Sequence, residues 1–212
     1  MPKRLIKLTT VVLSVLSLLG GCARPDALDS IVSSGKMVVV SRNSPTTFYT
    51  DKSGPTGFEY ALAGLLAQDL GVKLNMQPAF SLAGIFEKLQ REEADFAAAG
   101  LTLTGLRESS YPHSAAYNQL TPQVVYVAGS FRPRSVDDLA GMSILVLAGS
   151  SHAQSLQALQ SGGHRELQWR EIAEVDSMEL LELVNAGEAH LAIIDSNEFA
   201  VQQSLYPRLK VA

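Results

Sequence analysis

Cysteine is all but missing from this chain: one residue in 212, Cys22. A lone cysteine cannot close an internal disulfide, so the fold must hold without one. Histidine is scarce as well. The four (His113, His152, His164, His190) show no HExxH or related ligand spacing, and with no second cysteine a metal site is not expected. The glycine patterns that cradle phosphates or dinucleotides are lacking, so no cofactor is expected. No GxSxG elbow surrounds Ser151-His152, which argues against a serine nucleophile. No basic run interleaved with aromatics occurs. Three of the 17 Lys and Arg residues precede Cys22, leaving 14 against 21 Asp and Glu, a net of −7. Nucleic-acid binding requires phosphate neutralisation, which this balance opposes. What remains is 46% apolar and 18% charged, a globular composition long enough for one large domain or two small lobes.

The chain begins MPKRLIKLTTVVLSVLSLLGGC. Lys3, Arg4 and Lys7 precede an apolar core, Val11 to Leu19, followed by small residues. That is the layout of a secretory signal, and its core is short for the ~30 Å of a bilayer interior. The sequence Leu19-Gly20-Gly21-Cys22 resembles the lipobox of bacterial lipoproteins, which implies a lipidated Cys22 after loss of residues 1–21. Each buried methylene of such an anchor contributes about 0.8 kcal/mol, and two or more chains make attachment stable. Residue 23 is Ala rather than Asp, which under the lipoprotein resemblance implies the periplasmic face of the outer membrane of a Gram-negative cell.

Residues 22–35 read as a tether and a leading helix. Strand and helix patterns then alternate. KMVVVS (Lys36–Ser41), Lys73–Pro78, Phe96–Ala99, PQVVYVA (Pro122–Ala128), Ser143–Leu147, Leu167–Ile172 and Leu191–Ile194 read as strands. Gly57–Gly71, Leu82–Glu93, Ser151–Leu159, Ser177–Ala186 and Asn197–Leu205 read as helices. This order argues for α/β lobes with mostly parallel sheets. FEKLQREEADFAAAGLT, from Phe86, lies over LELVNAGEAHLAIIDSN, from Leu181, at a constant offset of 95. Gly100 then matches Asp195 and Thr102 matches Asn197, each just past a strand's carboxyl end, where open α/β sheets bind ligands. Arg91-Glu92-Glu93, Glu179 and Glu182 read as solvated helix faces, and the Leu and Ala stripe of Leu62 to Leu70 as core.

Two stretches carry candidate chemistry. In AAAGLTLTGLR, Arg107 offers a planar pair of donors suited to a carboxylate, Thr102 a hydroxyl, and Gly100 a carbonyl with no side chain in the way. Asp195, from the other half, could accept bonds from an ammonium group, so the set would read both ends of a zwitterion. The plainer alternative pairs Arg107 with Glu108 or a surface acid and makes the threonines turn caps. In Gly149-Ser150-Ser151-His152, a serine caps a helix whose N-terminus attracts anions. Phe48 or Tyr49, in SRNSPTTFY, could cover an apolar part of a ligand or simply pack on the lobe.

The succession of strand, aromatic loop, GFEYALA helix, AAAGLTLTGLR, LAGSS and AIIDS resembles the periplasmic solute-binding proteins of polar amino acid transport. Their Gly-x-Thr-x-Thr-x-x-Arg signature stands as Gly100 to Arg107. The resemblance implies that Gly100, Thr102 and Arg107 hold a ligand's backbone, that Asp195 binds its α-amino group, and that Ser150 and Ser151 lie at the helix start facing it. RNSPTT, LAGSSHA and DSN are more specific, and residues 36–212 resemble the N-terminal domain of the membrane-bound lytic murein transglycosylase F family. That implies an α/β, two-lobed periplasmic binding protein-like (type II) fold, with residues 36–127 as lobe 1 and 128–212 as lobe 2. In that family a lysozyme-like domain follows, cleaves peptidoglycan without hydrolysis and leaves 1,6-anhydro ends. The chain stops before such a domain and before the expected return to lobe 1. The binding fold is therefore expected to be C-terminally truncated here, with no catalytic glutamate to assign. The expected role is a lipid-anchored ligand-sensing domain in cell-wall turnover. Its partners would be a small zwitterion or a peptidoglycan-derived peptide, and peptidoglycan itself for the whole enzyme. The alternative is the substrate-binding lipoprotein of a polar amino acid transporter.

Overall fold

The computed structural model describes residues 26–212; Cys22 and the expected signal segment lie outside the described residues. Asp26 caps α1 (Ala27–Ser34) by accepting from the Leu28 N–H, and Gly35 closes it. β1 (Lys36–Arg42) follows, with Met37, Val39, Val40 and Ser41 buried. A hairpin of β2 (Tyr49–Asp51) and β3 (Gly54–Thr56) leads to α2 (Phe58–Asp69), and then to β4 (Lys73–Ala79), α3 (Leu82–Gln90) and β5 (Phe96–Ala97). β1 lies between β4 and β5, parallel to both. This three-stranded sheet is the centre of the first lobe.

After α4 (Gly105–Ser110) comes a second sheet, ordered β10-β6-β9-β7-β8, from β6 (Pro122–Val127), β7 (Ile144–Leu147), β8 (Trp169–Ile172), β9 (Leu191–Asp195) and β10 (Leu209–Val211). β7, β8 and β9 run parallel, while β6 is antiparallel to both β9 and β10. The helices α5 (Ser151–Ser161), α6 (Ser177–Ala186) and α7 (Ser196–Gln202) fill the crossovers and the final connection. β7 is buried throughout, as a strand covered on both faces should be. The expected first lobe, 36–127, thus includes a strand whose partners lie in the second sheet. The three-residue β10 was not foreseen.

The offset of 95 recurs in three dimensions. Ser81 caps α3 and Asp176 caps α6; α3 starts at Leu82 and α6 at Ser177; β5 starts at Phe96 and β9 at Leu191. One apolar cluster joins the lobes, running from Val40, Leu82 and Ile85 to Leu147, Leu181 and Ile194. Helix α2 departs from expectation. Ala63 and Ala67 are buried, but Leu62, Leu65 and Leu66 are 40%, 61% and 43% exposed. The stripe read as core is core only along its alanine face, because β1 and β4 cover that face alone.

Candidate functional site

The strand ends of both sheets converge on one gap between the lobes. In the first lobe, β1 ends at Arg42 and enters a loop fastened by its own groups. The Thr47 hydroxyl donates to the Arg42 carbonyl at 2.8 Å, and the Thr47 carbonyl accepts from the first N–H groups of α2, on Glu59 and Tyr60. Gly57 makes this approach possible: a Cβ there would stand 2.3 Å from the Thr47 oxygen. The buried Glu59 carboxylate accepts from the Gly100 N–H at 3.1 Å and from the Tyr117 hydroxyl at 2.6 Å. Burial and that carboxylate push the Tyr117 phenol well above its ordinary range. Gly100 turns with φ +60°, which a side chain would strain.

Thr104 caps α4 by accepting from the Arg107 N–H, so one threonine of the motif is indeed a turn cap. Arg107 does not pair with Glu108 or another acid. Its guanidinium is buried, 5.4 Å from the Phe86 ring centroid, and donates to the Thr102 carbonyl at 2.8 Å and, across the gap, to the Gly149 carbonyl at 3.1 Å. Desolvation, then the charge of Arg42, lower its pKa from the usual value.

The second lobe answers from two helix starts. The Ser150 hydroxyl caps α5 by accepting from Ala153, and the Gly149 N–H is held by Glu171. Asp195 ends β9, with a carboxylate oxygen 3.6 Å from Nε2 of buried His152. That separation is too long for a hydrogen bond. Desolvation holds His152 below the ordinary imidazole value and Asp195 above the ordinary carboxylate value. Glu198, one turn into α7, meets Arg42 across the lobes at 2.6 Å, and Arg42 also donates from Nε to the Ala99 carbonyl at 3.3 Å.

Gly100, Thr102, Arg107, Ser150, Ser151 and Asp195 all line this gap. Phe48 does not. It is buried, its ring 5.8 Å from that of Tyr60, and lines neither inter-lobe cavity. The loop folds back on α2 and carries the ring with it. Sequence reasoning missed Arg42, Glu59, His152 as a cleft residue, and Glu198. The free volume of the gap is about 30 Å³, room for a water or two. A larger guest requires the lobes to part.

The pattern of the bacterial extracellular solute-binding proteins, family 3, matches residues 36–196. The chain belongs to that family. Its fold is the two-lobed α/β fold expected from the sequence. An ancestral arginine-binding protein bound to arginine superposes with a TM-score of 0.75 at 23% identity, covering 84% of this chain and 78% of that one. An ancestral amino acid-binding protein, a precursor of cyclohexadienyl dehydratase, does so at 0.75 and 24%, covering 88% and 81%. Among curated relatives, the membrane-bound lytic murein transglycosylase F of Saccharophagus degradans is 38% identical over 188 residues, and that of Ectopseudomonas mendocina 40% over 204. These alignments take in 89% and 94% of this chain but 37% and 42% of the relatives. The chain spans about two fifths of their length.

Proposed function

We propose that this solute-binding unit serves as the ligand-sensing part of a peptidoglycan lytic transglycosylase. On this reading it is anchored through lipid on Cys22 at the periplasmic face of the outer membrane. The ligand is a small zwitterion or a cell-wall peptide end. The observation that carries the reading is the convergence of Arg107, from the first lobe, and Asp195, from the second, on one gap. Arg107 would take a carboxylate and Asp195 an ammonium, with Gly100, Thr102, Ser150 and Ser151 completing the shell. A ligand carboxylate would replace the Gly149 carbonyl on Arg107, a charge-assisted bond for a neutral one. Lobe separation is then linked to ligand occupancy, and can bias a neighbouring domain by no more than the ligand's differential affinity for the two states.

The test is thermal unfolding of the full chain with amino acids and cell-wall peptides. A ligand at 100 times its dissociation constant adds about 2.7 kcal/mol, and Arg107→Ala abolishes that gain. A gain that survives Arg107→Ala moves the site elsewhere; no gain with any ligand leaves a structural role. Loss of fatty-acid labelling in Cys22→Ala tests the anchor. The transporter alternative predicts partnership with a membrane permease and no enzyme domain downstream of codon 212.

A further inference from the structure

The turn that joins β7 to α5 is pinned on either side of Gly149. The Ala148 N–H donates to the Ile172 carbonyl at 2.9 Å, and the Ser150 N–H to the Leu147 carbonyl at 3.1 Å. Gly149 stands between them with φ +69° and open space where a Cβ would lie. Glycine turns its flanking peptides at little cost, so the turn alone does not fix how they face. Two side chains take its polar groups. Its carbonyl accepts from Arg107 at 3.1 Å across the gap, and its N–H donates to Oε2 of Glu171 at 3.0 Å within the lobe.

Glu171 is itself held. Its Oε1 accepts from the Trp169 indole N–H at 3.3 Å. The two residues are two apart on β8, so their side chains leave the same face of the strand. β8 lies parallel to β7 with Glu171 opposite Val146 and Ile172 opposite Leu147, which brings this end of the strand alongside the turn. Trp169, half-buried, packs on the apolar cluster of Leu139, Ile144, Val146 and Leu156. A continuous line of contacts thus runs from the core of the second lobe through Trp169, Glu171 and Gly149 to Arg107 of the first. Glu171 is exposed, and in the sequence it reads as one more surface acid; its partners, not its burial, set it apart.

We propose that Glu171 is a positioning residue of the inter-lobe gap: braced by Trp169, it fixes the Gly149 turn so that the Gly149 carbonyl meets Arg107, and so sets the bearing of Ser150 and Ser151 in the head-group shell. Without it the Gly149 peptides are free to turn, and both the contact with Arg107 and the placing of the serines weaken. Its bearing on a ligand rests on the reading of the gap as a head-group site; the brace itself is tested with no ligand present.

Trp169 is the only tryptophan of the chain, so its emission reports this brace alone. Urea unfolding of the full chain, followed by circular dichroism, is paired with that emission for Arg107→Ala, Glu171→Ala, Glu171→Gln and the double variants with Arg107→Ala. Glu171→Ala and Arg107→Ala each lower stability, and together they cost less than the sum of the two, because each loosens the contact the other depends on. Arg107→Ala moves the Trp169 emission of the parent but not that of Glu171→Ala. Glutamine keeps an acceptor for the Gly149 N–H, while its amide nitrogen cannot accept from the indole. Glu171→Gln therefore restores the coupling to Arg107 and shifts the emission to shorter wavelength, as the indole N–H loses an anionic acceptor. Additive losses, with an emission indifferent to Arg107→Ala, reduce Glu171 to a surface hydrogen bond and overturn the brace. Titration with L-alanine, L-glutamate and L-lysine adds the ligand arm. Where one of them binds, Glu171→Ala weakens it roughly fivefold, the worth of one hydrogen bond; an unchanged affinity overturns the positioning role. Coupled losses in a chain that none of the three binds leave the brace standing and count against the head-group reading alone.

Discussion

The two lobes bring opposite charge to the space between them. The first supplies guanidinium groups, Arg42 and Arg107, held at strand and helix ends by Ala99, Thr102 and the Phe86 ring. The second supplies acceptors: the Gly149 carbonyl, Asp195 and Glu198. Each lobe alone would present like charges in a partly desolvated setting. Face to face, each satisfies the other, and a contact of 2.6 Å between Arg42 and Glu198 is the tightest cross-lobe expression of this. A zwitterion brings the same two charges in one small body. On the proposed function, the protein's own groups would compete with such a ligand for the same partners, which would set how strongly it must bind before the lobes respond.

Breaking that complementarity at its most buried pair has the largest expected effect. Glu198→Ala leaves Arg42 without its counter-charge inside the cleft, where side-chain exposure is 15% and 5% for the two partners. Removing one member of a buried pair costs about 3–5 kcal/mol. The midpoint of urea unfolding measures this directly. Arg42→Ala in the Glu198→Ala background should cost far less than in the parent, since the stranded charge is then gone. A Glu198→Ala cost below about 1 kcal/mol would class the contact with solvent-screened surface bridges and remove the electrostatic account of lobe closure.

Most strands were legible from the sequence because buried parallel strands are apolar runs set off by glycine and by capped helices. KMVVVS became β1, and the helix read from Ser177 begins there. The stretch Gly100 to Arg107 was legible as a candidate site for a related reason: a guanidinium, a hydroxyl and a bare carbonyl lie within eight residues. Arg42 and Glu198 were not. They are 156 residues apart, and each alone reads as a surface charge. Glu59 was missed likewise, since its partners Gly100 and Tyr117 lie 41 and 58 residues away. The error over Leu62, Leu65 and Leu66 has the same root. An apolar stripe records what a helix can bury, and only the neighbouring elements decide which part of it is covered.

The repeated unit gives a smaller and sharper comparison. α3 and α6 occupy equivalent places, but Ser81 caps one with a single bond to Gly84 at 3.0 Å, while Asp176 and Glu179 cap the other reciprocally. Replacing either cap by alanine costs about 1 kcal/mol. The Asp176→Ala loss should exceed that of Ser81→Ala, because the aspartate accepts from both Met178 and Glu179 and carries a charge at the helix N-terminus. Thermal denaturation of the two variants ranks them. Equal losses would mean that the second lobe gains nothing from its fuller cap.

The smallest effect is a slope with pH, and its titrating groups, His152 and Asp195, both sit in the second lobe, with Arg42 of the first lobe lowering both. His152 titrates below its ordinary value because burial disfavours its charged form, and Asp195 only partly offsets this. The unfolded chain therefore binds this proton more readily than the folded one, and stability from His152 is lost as pH falls through the unfolded value of about 6.5. Asp195 acts in the opposite sense: its raised value means that the folded state gains as its carboxylate is protonated, from the raised value down to about 3.8. His152→Gln removes the histidine's share, so between about pH 7.5 and 5.5 it should lose less stability than the parent, whatever its stability at pH 7.5. Parallel unfolding curves for the two proteins across the interval would show that the imidazole is as free to charge in the fold as outside it, and would place it in water rather than against Asp195.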